Sequence, residues 1–163
     1  MKKLGDYVAI YKEQLEKGDI QKAYIGLIKY VLSLKSHLAK EMPDKFSFGN
    51  ISYGYLDYTY FPFFNEYLRA NKLRFGIVLN HKEARLELWL MGQNAEIQEK
   101  YWDLLKTSEW NKNQTAKPKY SFLEVVLESN PDFNDLDTLT LNIEKQIISL
   151  SESIIEYLQS HNS

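Results

Sequence analysis

The sharpest pattern lies mid-chain. Leu73, Phe75, Ile77 and Leu79 alternate with Arg74, Gly76, Val78 and Asn80. Ala84, Leu86, Leu88 and Leu90 alternate in the same way with Arg85, Glu87, Trp89 and Met91. Strict period two marks two half-buried strands. Asn80-His81-Lys82-Glu83 is short enough to join them as a hairpin. Pairing Leu79 with Ala84 sets Ile77 against Leu86, Phe75 against Leu88 and Leu73 against Leu90, so that all eight share one buried face. The other face then sets Arg74 opposite Trp89, Gly76 opposite Glu87 and Val78 opposite Arg85. That face is mixed rather than plainly solvated.

Elsewhere the period is helical. Leu4, Tyr7, Val8, Tyr11 and Leu15 recur at three and four residues and predict a helix over about 3–17, stopped by Gly18. Asp19 is expected to cap a second helix running to about Lys40, with Ile20, Ala23, Tyr24, Leu27, Ile28, Val31, Leu34 and Leu38 on its apolar face. The two helices are expected to form an antiparallel hairpin. Residues 51–60 read as a strand ended by Pro62, and 63–71 as a short helix. A third long helix opens at Gly92 and Asn94 and reaches Lys106. Residues 120–128 form a strand with Leu123, Val125 and Leu127 on one face. The last helix covers about 136–159. The resulting order predicts an α+β fold: an N-terminal helical hairpin, an antiparallel sheet of about four strands and a long C-terminal helix. With 163 residues, the chain fits a single domain, 1–163.

One segment departs from average composition. Ten of the 22 residues from Phe46 to Tyr67 are aromatic, and Asp57 sits among them. Rings hide large areas, so this segment is expected at the centre of the fold, with any pocket beside it.

Composition narrows the function classes. Apolar content is 44% and charged content 26%, ordinary for a soluble protein. There is no cysteine, which excludes disulfide and thiol chemistry and is compatible with a reducing cytoplasm. Met1-Lys2-Lys3 is followed by an amphipathic segment, not by an apolar leader, and no run approaches the roughly 18 apolar residues of a membrane helix. A cytoplasmic protein without a membrane partner is expected. Residues 1–82 hold 13 Lys/Arg and 8 Asp/Glu, whereas residues 83–163 hold 7 and 14. The acidic second half argues against nucleic acid as a partner. The acidic last helix is expected to pack near the basic first two.

Several stretches are similar to a family of small bacterial proteins of unknown function. They are Glu16-Lys17-Gly18-Asp19-Ile20-Gln21-Lys22-Ala23-Tyr24, Gly54-Tyr55-Leu56-Asp57-Tyr58-Thr59-Tyr60-Phe61, Glu87-Leu88-Trp89-Leu90, Lys100-Tyr101-Trp102 and Asn130-Pro131-Asp132-Phe133. The resemblance covers nearly the whole chain and implies a bacterial cytoplasmic protein. It implies no activity and no functional residues.

Candidate chemistry centres on the hairpin. All three arginines, Arg69, Arg74 and Arg85, fall within 17 positions. Arginine offers a rigid fork for carboxylate or phosphate and stacks on rings. Arg74, Arg85, Glu87 and Trp89 share a face beside Gly76, which leaves room for a ligand or a backbone. With Tyr58 and Tyr60 alongside, and Asp57 next to them, these residues suggest an aromatic-walled site for a small molecule or a protein partner. The structural alternative stacks Arg74 on Trp89, pairs Arg85 with Glu87 and makes Asp57 a buried acceptor for Tyr or Arg. An enzymatic alternative uses Asp57 and Glu87 as paired carboxylates, in a metal-dependent, nuclease-like site. That motif wants a lysine two residues after the glutamate, where Trp89 stands. His37, His81 and His161 lack ligand spacing, and the Asp132 to Asp137 cluster lacks the glycine and terminal glutamate of a calcium loop. No cofactor, metal or catalytic set is expected. The seam Ile143, Ile147, Leu150, Ile154, Tyr157 is expected on the first two helices, with homodimerisation through this C-terminal helix as the alternative.

Overall fold

The computed structural model describes residues 1–161. Helices α1 (Leu4–Lys17) and α2 (Asp19–Glu41) are separated by Gly18 alone. Gly18 has φ 80°, the left-handed conformation that lacks a Cβ penalty, and its N–H bonds to Leu15. The same residue serves as the N-cap of α2. Asp19 therefore stands inside the helix, not before it, and makes no capping bond. Its charge instead sits in the first turn, where it favours the helix dipole.

Five strands follow in sequence order: β1 (Ser47–Phe48), β2 (Tyr58–Phe64), β3 (Leu73–Asn80), β4 (Arg85–Gly92) and β5 (Leu123–Glu128). They form one antiparallel meander, one strand wider than the expected four. The extra strand, β1, has only two residues and pairs with Phe63 and Phe64. The strand expected at 51–60 begins only at Tyr58 and continues through Pro62 to Phe64. Proline is tolerated because of where its missing N–H would point. The carbonyl of Pro62 accepts from Gly49 N at 2.8 Å, on the side of the short edge strand, so no bond to β3 is lost. Phe63 and Phe64 are thus strand residues. The short helix α3 (Glu66–Ala70) starts after Asn65, whose side chain accepts from Leu68 N. The turn before α4 (Ala95–Leu105) repeats the device with Asn94 and Ile97 N.

The β3–β4 hairpin keeps its expected faces but slips by two residues. Leu79 pairs with Leu86, Ile77 with Leu88 and Phe75 with Leu90, while Gly76 faces Trp89 and Val78 faces Glu87. The loop is His81 to Ala84, and Ala84 adopts φ 49°. That left-handed conformation takes Ala84 out of the strand and leaves it exposed. Because side chains alternate with period two, a two-residue slip preserves which residues are buried.

The inner sheet face, with Phe61, Phe63, Phe75, Ile77, Leu79, Leu86, Leu88, Leu90 and Leu123, packs on α2 (Tyr30, Val31, Leu34, Leu38) and α5 (Leu136–His161). The seam residues Ile143, Ile147 and Ile154 are fully buried there. The α2–α5 contact is fastened by His37 Nε2 to Glu144 Oε2 at 2.9 Å and by Tyr30 with Thr140 at 3.1 Å. α3 and α4 contribute Leu68, Tyr101 and Leu105 to the same core. No residue of α1 is buried. The aromatic segment divides accordingly. Phe46, Phe61 and Phe63 are core, whereas Tyr53, Tyr55 and Leu56 lie on a solvent-facing loop, with Tyr55 at 95% exposure. No described helix is long and apolar enough to cross a membrane.

Candidate functional site

Helices α2, α3, α4 and α5 pack residues into the core of the inner face, and the buried cluster of the outer face is made of strand side chains. That cluster is Val78, Trp89 and Met91, packed by Tyr58 and Tyr60. The room beside Gly76 is taken up from within: a Cβ there would meet Met91 Cε at 2.6 Å and Tyr60 Cδ2 at 3.6 Å. Gly76 therefore admits the chain's own methionine rather than a ligand.

Glu87 is the hub of this face. It is 3% exposed. Its Oε2 accepts from Arg85 Nε at 2.7 Å and Asn80 Nδ2 at 3.1 Å, and its Oε1 from Trp89 Nε1 at 2.8 Å. Three donors and one counter-charge satisfy a carboxylate that would otherwise be costly to bury. Tyr58 lies edge-on to Trp89, with ring centroids 4.9 Å apart, and Tyr120 lies beyond Tyr58 at 6.4 Å. Burial, then the charges of Glu124 and Glu87, hold the Tyr58 phenol above its ordinary pKa.

Two groups on this face keep unused bonding capacity. Arg85 is part-exposed and donates through Nε only; its terminal nitrogens make no hydrogen bond among the described residues. Glu124, paired with Trp89 across β4–β5, accepts from Ser121 Oγ at 2.8 Å and has no ion pair among the described residues. Half burial holds its carboxyl above the usual range, and nearby Glu87 adds to the shift. A guanidinium end and a carboxylate that feels its charge without a contact ion pair thus share the face of the Tyr58 ring.

The other expected residues are placed as follows. Tyr58, Tyr60, Arg85, Glu87 and Trp89 share the outer face. Arg74 is on it too, but opposite Met91, not Trp89. Asp57 is not in this group and not buried. It lies in the exposed turn before β2, where Oδ1 accepts from Tyr55 N at 2.8 Å and Tyr58 N at 2.7 Å. These backbone bonds hold its carboxyl below the usual carboxylate range, the opposite of the shift that burial would give. Glu124, Asn80 and Tyr120 were not singled out from sequence. Alternation along 120–128 puts Glu124 opposite the Leu123/Val125/Leu127 face, but only the pairing of β5 with β4 brings it to Trp89.

His81 forms a separate polar cluster at the hairpin tip. Thr59 Oγ1 donates its single hydrogen to the carbonyl of Tyr53 at 2.8 Å, so its 2.7 Å bond to His81 must be accepted from Nε2–H. The ring stacks on Tyr24 at 5.8 Å, and burial lowers its pKa against a smaller opposing effect of Asp57. Among the described residues, no group of three His, Cys, Asp or Glu is arranged to hold a metal ion.

A family model described as Domain of unknown function (DUF7000) matches residues 4–158. No match to the chain was found among curated proteins or among solved structures.

Proposed function

We propose that this chain, which belongs to the DUF7000 family of unknown function, is a non-enzymatic binding module whose ligand docks on the outer sheet face against Tyr58, Arg85 and Glu124. The observation that carries this reading is the pair of unused groups beside the fixed Glu87 hub. Arg85 has its Nε anchored to Glu87, so its terminal N–H groups are held in place with little rotamer freedom left to lose. They suit a carboxylate or phosphate oxygen. Glu124 suits an amine or hydroxyl donor, and Tyr58 supplies a flat apolar surface between them. The ligand class is a small polar molecule, or a partner side chain, carrying both an anionic group and a donor. The lack of cysteine is compatible with the cytoplasm as the compartment this reading assigns.

The enzymatic reading requires Asp57 and Glu87 as a working pair. Glu87 uses both oxygens on three donors and Asp57 braces its own turn, so no observation favours it.

A thermal-shift screen against carboxylates, sugar phosphates, nucleotides, amino acids and metal ions tests the proposal. A ligand at a hundred times its dissociation constant adds about 2.7 kcal/mol. For a domain of this size that is a rise of roughly 5–10 °C. A hit that both Arg85→Lys and Glu124→Gln weaken at least tenfold (about 1.4 kcal/mol each) supports the site. A hit that neither variant affects, or no hit in any class, refutes it.

A further inference from the structure

An apolar surface is left open on the first helix, beyond the tip of the β3–β4 hairpin, where Tyr24 of α2 stacks on His81. Helix α1 carries Leu4, Tyr7, Val8 and Tyr11 on one stripe, and all are exposed, Leu4 at 78% and Tyr11 at 63%. A 14-residue helix is marginal in water unless its apolar face is covered. Below the stripe, α1 and α2 enclose a cleft of about 320 Å³ lined by Tyr11, Leu15, Ile20, Gln21, Tyr24 and Leu56. Gln21 Nε2 donates to the Leu15 carbonyl, but its Oε1 is buried without a partner. An orphaned buried acceptor calls for a donor.

We propose that α1 and this cleft are a homodimer interface, in which α1 of one copy lies antiparallel against α1 of the other and covers the α1–α2 cleft. This inference is independent of the ligand site above. A two-fold contact brings the same patch together twice, so stripe meets stripe. Tyr7 and Tyr11 bring phenol donors of the kind that Gln21 Oε1 lacks. Leu4, Tyr7, Val8 and Tyr11 of two copies, with Ile20 and Leu56, hide on the order of 1,000 Å² or more, which reaches the size of a specific interface.

Charge disfavours a membrane surface or nucleic acid as the occupant. Residues 1–17 carry four Lys and three acidic residues. Glu16 and Glu13 already pair with Lys12 and Lys17 at 3.8 and 3.0 Å. This is neither the basic face of a membrane-surface helix nor a nucleic-acid patch.

The full chain has no native cysteine, so a single introduced one reports on symmetry. A two-fold axis at mid-stripe sets Val8 beside its own copy, within disulfide reach. Sedimentation velocity is expected to show a dimer that Val8→Glu converts to monomer. Circular dichroism and Tm are expected to show the core of that variant intact, because Val8 touches no core residue. Val8→Cys is expected to cross-link quantitatively under mild oxidation, and Lys17→Cys only weakly. A wild-type chain that stays monomeric into the high micromolar range overturns the proposal and leaves the stripe to a different partner. So does a dimer that survives Val8→Glu, or equal cross-linking at positions 8 and 17.

Discussion

Trp89 Nε1 donates to Glu87 Oε1 at 2.8 Å, from two residues further along the same strand. Residues two apart share a sheet face, so this bond ties neighbours on one side of β4 and turns the indole along the strand. The ring meets the buried carboxylate with its N–H edge and makes a T-shaped contact with Tyr58. This hydrogen bond and the separate bond from Arg85 Nε to Glu87 Oε2 fix the floor of the candidate site.

If Glu87 is this hub, removing it is more damaging than removing an exposed acid. Glu87→Ala leaves the Trp89 N–H, the Asn80 amide and the Arg85 guanidinium without their acceptor. The expected cost is about 3–5 kcal/mol, as for breaking a buried ion pair by removing one partner. Urea unfolding measures it. A loss below about 1 kcal/mol, the level of a surface ion pair, shows that the hub does not matter.

Gly76 and Met91 are expected to be coupled. Gly76→Ala presses a methyl against Met91 Cε, the free end of a flexible side chain that must shift to a new rotamer, so the cost is expected to stay below about 1 kcal/mol. Shortening Met91 to Ala in the same molecule opens that space, so the double variant loses less than the sum of the two single ones. A double-mutant cycle reads the coupling. Strict additivity would contradict the close contact.

The sheet face is expected to respond to pH through Glu124. Its folded pKa is raised by burial, so the folded state holds the proton more tightly than the unfolded one. The stability from protonation is complete below the unfolded value, near 4.3, and is lost as pH rises through the higher folded value. Glu124→Gln abolishes this loss. Its Tm is expected to exceed that of the wild type at pH 7 and to match it at pH 4. Equal Tm at both pH values would show that Glu124 is fully solvated.

His81 follows the opposite rule. Burial lowers its pKa, so stability is present above the unfolded value, near 6.5, and falls as pH drops through the folded one. Nitrogen NMR is expected to show the Nε2–H tautomer and a titration midpoint below that of an exposed histidine. Thr59→Val removes the acceptor for that proton and is expected to mix the tautomers. A single Nε2–H tautomer persisting in Thr59→Val would refute the assignment.

Much of the fold was legible because it rests on periodicity. The alternation of Leu73 to Leu79 with Arg74 to Asn80 assigned both faces of the hairpin, and the 4-3-4-3 spacing found α5. Boundaries and partners were less legible. Nothing in the composition of the hairpin loop shows that Ala84 takes a left-handed conformation, so the register came out two residues off while the faces stayed correct. Pro62 reads as a strand breaker by itself. It is accommodated because β1 is too short to need its N–H. Asp57 looked buried among tyrosines, but Gly54 and Leu56, at φ 71° and 64°, turn that loop out to solvent.

The sequence by itself determined the α+β class, the faces of the central strands and the Arg85/Glu87/Trp89 grouping, because side-chain period is a local property of the chain. Only the tertiary structure decided which strand lies beside β4. That pairing brought Glu124 to Trp89, while the left-handed Gly54 and Leu56 turned Asp57 out to solvent and the inner sheet face with α2 buried the α5 seam. It also left α1 open, although the apolar stripe of α1 reads in sequence like that of any buried helix. A pattern shows which face of an element needs covering, but what covers it depends on contacts between residues far apart in the chain.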